Sequence, residues 1–271
     1  MVAAERREVV PVGAELRTLA WAGVMLIATG VGIFIGRHLD EIGPLTIAVA
    51  LGVLASACYV WVALKPRAPL DDYVILLGAL LISADIGFIE SQFHLLGEEW
   101  QRHFLLLAIV HAAAAYWFDS RAVLSLSIAS LAAWFGVEQR NLFSTQVELA
   151  ERAFVCASAI VVWRVLNRKP EFGPLFDQFA INIAFWGALI LTANSDTKLL
   201  GLLVTLILAA AAVAWGFRQR RELFVMYSFV YTIIAINIVV AELFLIFVST
   251  VAGIAALFVI HAAFQKRLAN A

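Results

Sequence analysis

The chain has 271 residues, of which 63% are hydrophobic and 14% charged, and its formal net charge is −1. A soluble domain of this size needs a more highly charged surface, so the composition excludes an ordinary soluble protein and indicates one that spans a membrane. Because the net charge is close to zero, no binding surface for nucleic acid is expected.

Ten apolar stretches, each about as long as a bilayer-spanning helix, fill nearly the whole sequence. A hydrocarbon core about 30 Å thick requires roughly 17–25 helical residues. We therefore predict an all-α fold, a polytopic transmembrane bundle of about ten helices, in one membrane domain at residues 16–265. Short tails, residues 1–15 and 266–271, flank it. The predicted spans are 16–37, 44–64, 73–93, 103–118, 122–137, 151–166, 175–193, 199–217, 223–241 and 244–264.

Lysine and arginine are unevenly distributed between the two sides of this predicted bundle. With ten spans, the side that holds both termini carries 14 of the 19 basic residues and the other side carries 5. Cytoplasmic loops carry the excess of Lys and Arg in membrane proteins. Both termini are therefore predicted to be cytoplasmic.

A short repeated segment suggests a relation between the two halves of the chain. Glu41-Ile-Gly-Pro-Leu45 opens the second span and Glu171-Phe-Gly-Pro-Leu175 opens the seventh. The offset predicts halves at residues 16–137 and 151–265, with five spans each and opposite orientations, as in inverted-repeat transporters. The alternative is that Gly-Pro here is only the common signal that stops one helix and starts the next.

The third span carries an unusual set of polar residues. Ionisable groups inside spans are costly and are candidates for function by default. At about 100° per residue, Ser83, Glu90 and His94 share one stripe of the helix, whereas Asp85 and Gln92 share another. Two polar faces suit a helix that lies inside the bundle rather than one that faces lipid.

The sequence places one buried acid and one histidine at similar depths. Asp85 lies about 12 Å from the predicted outer end of its span, and His111 lies about as deep on the antiparallel fourth span. A buried Asp–His pair can hold or exchange a proton. We therefore expect Asp85, Glu90, His94 and His111 to line a path for protons or a solute. The alternative is that Asp85 only hydrogen-bonds a neighbouring helix.

Other polar residues inside or near the spans are expected to line a cavity, and Glu242 is also expected to mark the turn between the ninth and tenth spans. These residues are Gln92, Asn182, Asn237 and Glu242. Glu90 and His94 have the i, i+4 spacing that permits a shared metal ion, but no second ligand pair such as His-x-x-x-His accompanies them. No metal site, no other cofactor and no catalytic residue is predicted.

Enzyme signatures are absent from the sequence. It contains no His-Glu-x-x-His, Gly-x-Ser-x-Gly, P-loop or Cys-x-x-Cys motif. None of the predicted loops is long enough to form a soluble domain. We therefore expect that the protein is not an enzyme.

The first half of the chain resembles a known family. The resemblance is carried by Ala28–Asp40 with the following Gly-Pro-Leu, by Leu77–Leu81 and by Ile89–Gly97. These segments are similar to a family of bacterial multi-pass membrane proteins, domain of unknown function 2157, over roughly residues 16–136. Gln92-Phe93-His94 matches its pattern of Gln before an aromatic–His pair, whereas Asp85 and Glu90 depart from it. The resemblance implies a bacterial inner (plasma) membrane protein and names no substrate.

Two functions remain open from the sequence. The first is a small-molecule or ion transporter with proton-linked carboxylates inside the membrane. The second is a non-catalytic accessory or scaffold subunit of a larger membrane complex, with a membrane protein or a second copy of the chain as its partner in the lipid bilayer. A carrier is expected to have broken helices at matching places in both halves, and no strong Gly/Pro interruption is seen within the predicted spans.

Overall fold

The computed structural model describes residues 12–65, 68, 70–97, 102–136, 146–240, 252–253, 255–258 and 261–262. All regular structure in this part of the chain is helical, which confirms the predicted all-α bundle. The α-helices are α1 (Val12–Ile42), α2 (Pro44–Ala63), α3 (Asp71–Phe93), α4 (Arg102–Phe118), α5 (Arg121–Gly136), α6 (Gln146–Leu166), α7 (Gly173–Ala193), α8 (Lys198–Gln219) and α9 (Glu222–Val240), with a 3₁₀ turn, Pro170–Phe172, before α7.

Helix length and hydropathy divide the helices into two groups. Among the described residues, six helices are long and apolar enough to cross a membrane. These segments are Thr18–His38, Pro44–Ala63, Asp71–Phe93, Pro170–Ala193, Lys198–Gln219 and Glu222–Val240. Helices α4 and α5 are apolar but have only 17 and 16 residues, in agreement with the short spans predicted at 103–118 and 122–137, whereas the short sixth span predicted at 151–166 is part of a longer helix. Helix α6 has 21 residues and carries Glu148, Glu151 and Arg152 in its first two turns.

Most of the tenth predicted span and the C-terminal tail lie outside the described residues. Residues 252–253, 255–258 and 261–262 are helical and fall within the tenth predicted span. Glu242, which was predicted to mark the turn before that span, is not among the described residues. The tail at residues 266–271 is not among them either.

Helix α1 extends beyond the span predicted at 16–37 at both ends. No residue that breaks a helix intervenes before Gly43, which has a φ of +83°. Glycine adopts this left-handed region without the steric penalty that a Cβ would bring. Pro44 then occupies the first turn of α2, where its missing N–H is not needed.

The chain divides into two compact units, Met1–Trp134 and Phe135–Ala271. In the N-terminal unit, α3 is the central helix, because it contacts α1, α2 and α4. Ile47, Leu51 and Ala55 of α2 pack with Leu81 of α3 in a buried apolar cluster. A Cβ built on Gly78 of α3 would lie 3.0 Å from the Cβ of Cys58, so the small residue lets these two helices approach closely.

In the C-terminal unit, α7 is the central helix, and it contacts α6, α8 and α9. Glycines again permit the close approaches. A Cβ on Gly187 of α7 would lie 3.2 Å from the Cβ of Ala153 on α6, and a Cβ on Gly201 of α8 would overlap the backbone nitrogen of Thr192 on α7. Only a hydrogen atom fits between the backbones of α7 and α8 at this point.

The contacts within the two units bear on the predicted inverted repeat. An offset of 130 residues pairs α2 with α7 and α3 with α8. The central helix of the first unit is α3, however, and that of the second is α7, so the two units place different members of the predicted repeat at their centres. The two Gly-Pro segments also differ, because Gly43 has a positive φ while Gly173 is helical, with a φ of −50°. The inverted repeat stays a prediction.

Replacing Gly201 by alanine is expected to destabilise the C-terminal unit by about 1–3 kcal/mol, the usual range for overpacking a close contact. The reason is that the new methyl group has no space beside the backbone of Thr192. The measurement is thermal or denaturant unfolding of the purified chain in a mild detergent. Gly30→Ala is the matched control, since a Cβ at Gly30 meets nothing within 4 Å. Equal stability of the two variants would contradict the close contact.

Candidate functional site

The two polar faces of α3 point to two different neighbouring helices. Ser83 lies against α4, where it contacts His111, and Asp85 lies against α2, where its Oδ2 would be 3.3 Å from a Cβ built on Gly52. Residues two positions apart on a helix point about 200° away from each other. The prediction that α3 lies inside the bundle with polar groups on two faces agrees with this arrangement.

His111 is fully buried and is held by a serine. Its Nε2 lies 2.8 Å from Ser83 Oγ, and the same hydroxyl donates to the carbonyl oxygen of Ala79 at 3.0 Å. A serine hydroxyl has one proton to donate. We infer that Ala79 accepts that proton, so that Ser83 Oγ accepts a hydrogen bond from the Nε2–H of His111. In this tautomer Nδ1 is the acceptor nitrogen of the imidazole.

Two buried atoms of this region have no hydrogen-bond partner in the part of the chain that the structure describes. They are Nδ1 of His111 and Oδ1 of Asp85. A large majority of buried side-chain polar atoms in native proteins do have a partner, and exceptions often mark a functional group or a bound molecule. Each of these atoms is therefore placed to accept a hydrogen bond from a ligand or a water molecule.

The direct Asp85–His111 pair that the sequence suggested does not form. His111 is bonded to Ser83, and no contact joins its imidazole to Asp85 in the described structure. The physical reason is the helical period: the depths of the two residues match, but α3 turns Asp85 away from α4 and towards Gly52 of α2. Depth along a span is readable from sequence, whereas the direction around the helix depends on which neighbour packs on which face.

Glu90 and His94 lie together at the C-terminal end of α3. Glu90 is buried, and its Oε2 accepts a hydrogen bond from the backbone N–H of Leu96 at 3.1 Å. His94 ends the helix with a φ of +46° and donates from Nδ1 to the carbonyl oxygen of Glu90 at 3.1 Å. Glu90 thus satisfies a backbone N–H just beyond the helix, and the His94 ring adds a second hydrogen bond to a carbonyl oxygen that already accepts the backbone N–H of His94. Gln92, one of the predicted lining residues, is exposed on the helix surface.

Potential metal ligands do not converge in the described residues. Within that part of the chain, no group of three His, Cys, Asp or Glu side chains is close enough to hold a metal ion. Glu90 and His94 interact through the glutamate backbone rather than through a shared site between their side chains. The i, i+4 spacing instead allows the His94 ring to hydrogen-bond the Glu90 carbonyl oxygen at the end of α3.

In the C-terminal unit, the predicted lining residue Asn182 joins two helices. Its Oδ1 accepts a hydrogen bond from Tyr231 of α9 at 2.8 Å, and its Nδ2 donates to the carbonyl oxygen of Gln178 at 2.8 Å. The Tyr231 ring stacks on Phe185 of α7 at 4.6 Å. Asn182 therefore holds α7 and α9 together. Asn237, also predicted to line a cavity, is half-buried on α9.

The C-terminal unit contains a charged cluster that was not predicted from the sequence. Asp177 of α7 lies between two arginines: Oδ2 is 3.1 Å from Nη1 of Arg221, and Oδ1 is 3.3 Å from Nε of Arg164. The first contact is a hydrogen bond, and the second is close enough for an ion pair without hydrogen-bond alignment. A Cβ on Gly173 would lie 2.7 Å from the Arg164 guanidinium, so the glycine makes room for that side chain.

The signal for this cluster was present in the sequence but was ambiguous. Asp177 follows the Gly173-Pro174 start of α7, and the two arginines end α6 and precede α9. Charges at the ends of spans are usually solvated, so sequence spacing alone does not distinguish a shared ion pair from three separate interfacial charges.

Comparison with known proteins finds a family match over the N-terminal part of the chain. Residues 2–124 match a family described as "Predicted membrane protein (DUF2157)". The N-terminal part of this chain is similar to that membrane protein family. The match confirms the resemblance seen in the sequence, and it includes the residues of the α3–α4 site, from Ser83 to His111. Curated proteins and solved structures give no match.

Replacing Ser83 by alanine is expected to destabilise the chain by about 1–3 kcal/mol, because buried Nε2–H of His111 would lose its acceptor. Ser91→Ala is the matched control on the same helix, since the Ser91 hydroxyl is exposed and bonds only to its own helix at Phe88. Unfolding of both variants in detergent measures the difference. Nitrogen NMR of labelled histidine adds a second readout, and a wild-type His111 protonated on Nδ1 alone would contradict the assigned bond direction.

Proposed function

We propose that this protein is an integral membrane carrier that moves a small solute or ion together with a proton, with Asp85 and His111 as the residues that exchange the proton. The single observation that carries the proposal is the pair of buried, unpartnered atoms, Oδ1 of Asp85 and Nδ1 of His111, inside apolar helices. Ionisable groups at such positions are expensive, and in membrane proteins they mark proton relays and solute pathways.

The depth of these residues supports a role in transport. Asp85 lies eight residues before the end of α3, or about 12 Å along the helix axis, and His111 lies nine residues after the start of α4, or about 13 Å. Both therefore lie well inside their helices, away from the helix ends. A solute that carries a hydrogen-bond donor would satisfy either acceptor atom in the bound state and leave it unsatisfied on release.

The position of α3 supports coupling between the two residues. This helix separates them, with Asp85 on its α2 side and Ser83, which holds His111, on its α4 side. A small rotation of α3 would change the environment of both groups together. In this proposal Glu90 and His94 form the outer mouth of the path, and Gln92, on the same helix, remains a candidate for its polar lining.

The proposed location of the protein, and the proposal that it is not an enzyme, are supported by its sequence. We place it in a bacterial inner membrane with both termini in the cytoplasm, supported by the 14-to-5 division of basic residues and by the family resemblance. We propose no enzymatic activity, because the sequence carries no catalytic motif and no loop long enough for a soluble domain.

The test is transport by the purified chain in proteoliposomes that contain a pH-sensitive dye. A panel of amino acids, sugars, organic acids and inorganic cations is added outside, and the internal pH is followed. We expect one or more solutes to drive proton movement. Asp85→Asn and His111→Gln are expected to reduce that movement to the level of empty vesicles, because neither new side chain exchanges a proton near neutral pH.

Two matched substitutions serve as controls for this experiment. Asp196→Asn changes an exposed carboxylate in the α7–α8 turn, and His38→Gln changes a histidine near the end of α1. Both variants are expected to transport like the wild type. Solute-driven proton movement that persists in folded Asp85→Asn and His111→Gln proteins would contradict the proposed role of these residues.

A second function, an accessory or scaffold subunit, is favoured by the surface of α1. Only 6% of the apolar part of this helix is buried, against 22–44% for the other five long spans. Gly32 and Gly36 have the spacing at which transmembrane helices pack closely against each other, and a Cβ on either would meet nothing within 4 Å. In this alternative, α1 binds a helix of another membrane protein.

Purification of the tagged chain from native membranes tests the alternative. A stoichiometric protein partner is expected to be lost when Gly32 and Gly36 are both replaced by leucine, because the larger side chains keep the helices apart. Gly30→Leu, on another face of the same helix, is expected to retain the partner. A chain that is purified alone, or a partner that is indifferent to the double substitution, would contradict the subunit role.

A further inference from the structure

A cleft of about 1330 Å³ opens between the N-terminal ends of three helices of the N-terminal unit. Its walls come from α1 around Trp21, from α3 around Leu76 and from α5 around Leu126. Pockets for drug-sized ligands usually measure about 300–1,000 Å³. The cleft is therefore large enough for an extended ligand, and none of the candidate transport residues lines it.

The polar and apolar residues of the cleft are separated along the helix axes. The charged side chains that line it, Asp72, Asp119 and Arg121, lie at or next to the first residues of α3 and α5. The residues deeper along the same helices are mostly apolar, as at Leu76 and Leu126, with Ser125 as a polar exception. The cleft thus has a polar mouth at the helix ends and apolar walls towards the middle of the helices, which is the pattern of an amphipathic ligand.

The charges at the mouth have both signs. Arg121 is exposed and its guanidinium forms no hydrogen bond or ion pair with another described residue, and the same holds for the carboxylate of Asp72. The mouth therefore offers a cationic group for a phosphate and a carboxylate for an ammonium group. The N-terminal ends of α3 and α5 both border the cleft, and the positive partial charge of a helix N-terminus favours a phosphate.

Trp21 fits the same arrangement. It lines the cleft on α1 and remains more than half exposed. Tryptophan is enriched at the level of lipid headgroups, where its ring contacts the acyl region and its N–H contacts polar groups. The side chain therefore places the mouth of the cleft at the boundary between headgroups and hydrocarbon.

We propose that this cleft binds a phospholipid whose headgroup carries both a phosphate and a primary ammonium group, as in phosphatidylethanolamine. The phosphate lies at Arg121 and the helix N-termini, the ammonium group lies at Asp72 with Asp119 nearby, and the acyl chains follow the apolar walls past Leu76 and Leu126. A purely anionic lipid is disfavoured, because its headgroup has no ammonium group to pair with the carboxylate of Asp72 at the mouth of the cleft.

Choline lipids provide the sharpest comparison. The choline headgroup has the same charges as ethanolamine, but its trimethylammonium group cannot donate a hydrogen bond to a carboxylate. A preference for ethanolamine over choline therefore reports on the carboxylates of the mouth and not on net charge. A single charge-assisted contact near the membrane surface corresponds to about a fivefold difference in binding.

Native mass spectrometry of the full chain, purified in detergent and mixed with lipids of identical acyl chains, tests the proposal. Phosphatidylethanolamine is expected to be retained about fivefold more than phosphatidylcholine, and more than phosphatidylglycerol. Asp72→Asn is expected to lower the ethanolamine lipid to the level of the choline lipid. Arg121→Gln is expected to weaken all three lipids, because each presents a phosphate to that residue.

Controls and contrary outcomes follow from the same spectra. Asp196→Asn, on an exposed turn of the C-terminal unit, is expected to leave lipid retention unchanged. Equal retention of the three lipids, a preference for phosphatidylglycerol, or an ethanolamine preference that survives Asp72→Asn would each overturn the proposal. If Arg121→Gln does not fold, the comparison of the three lipids on the wild-type chain still tests the proposed preference for the ethanolamine lipid. The result does not depend on whether the protein is a carrier.

Discussion

In the hydrocarbon core of a bilayer no water is present to hydrogen-bond a polar group, so each one must find its partner within the protein. The helical backbone meets this requirement for its own N–H and C=O groups. Hydroxyl side chains meet it by bonding back to the preceding turn, as Thr192 does to Ala188 at 2.8 Å and Ser228 does to Phe224 at 2.7 Å. Against this background the exceptions are informative. In the part of the chain that the structure describes, Tyr59, Asp85 and His111 each have a buried atom with neither a hydrogen bond nor an ion pair.

The same constraint explains why small residues decide the packing. Lipid tails are as apolar as the helix surfaces, so no hydrophobic force drives helices together, and close van der Waals contact must do so. Gly78 provides that contact between α2 and α3, and Gly201 provides it between α7 and α8. These contacts make α3 the central helix of one unit and α7 that of the other.

Helix α3 connects the two proposed sites of the N-terminal unit. Its first turn contributes Asp72 to the mouth of the cleft, and its later turns carry Ser83 and Asp85. The centre of α3 is fixed against α2 through Gly52 and Gly78. The two proposed sites therefore share one packed helix that contacts three neighbours. In the C-terminal unit, Asp177 has the analogous structural importance, because it joins the end of α6 and the turn between α8 and α9 to α7.

The sequence by itself determined the class of protein, the approximate positions of the described helices and the positions of Asp85 and His111 along theirs, because hydropathy and helix length are local properties. It also placed Glu90 and His94 together, since they are one turn apart. Only the tertiary structure decided that His111 bonds to Ser83 rather than to Asp85, and that Asp177 lies between Arg164 and Arg221. These contacts depend on the direction in which each helix presents its faces to its neighbours. That direction is set by packing between residues distant in the sequence, and a largely apolar helix surface carries little information about it.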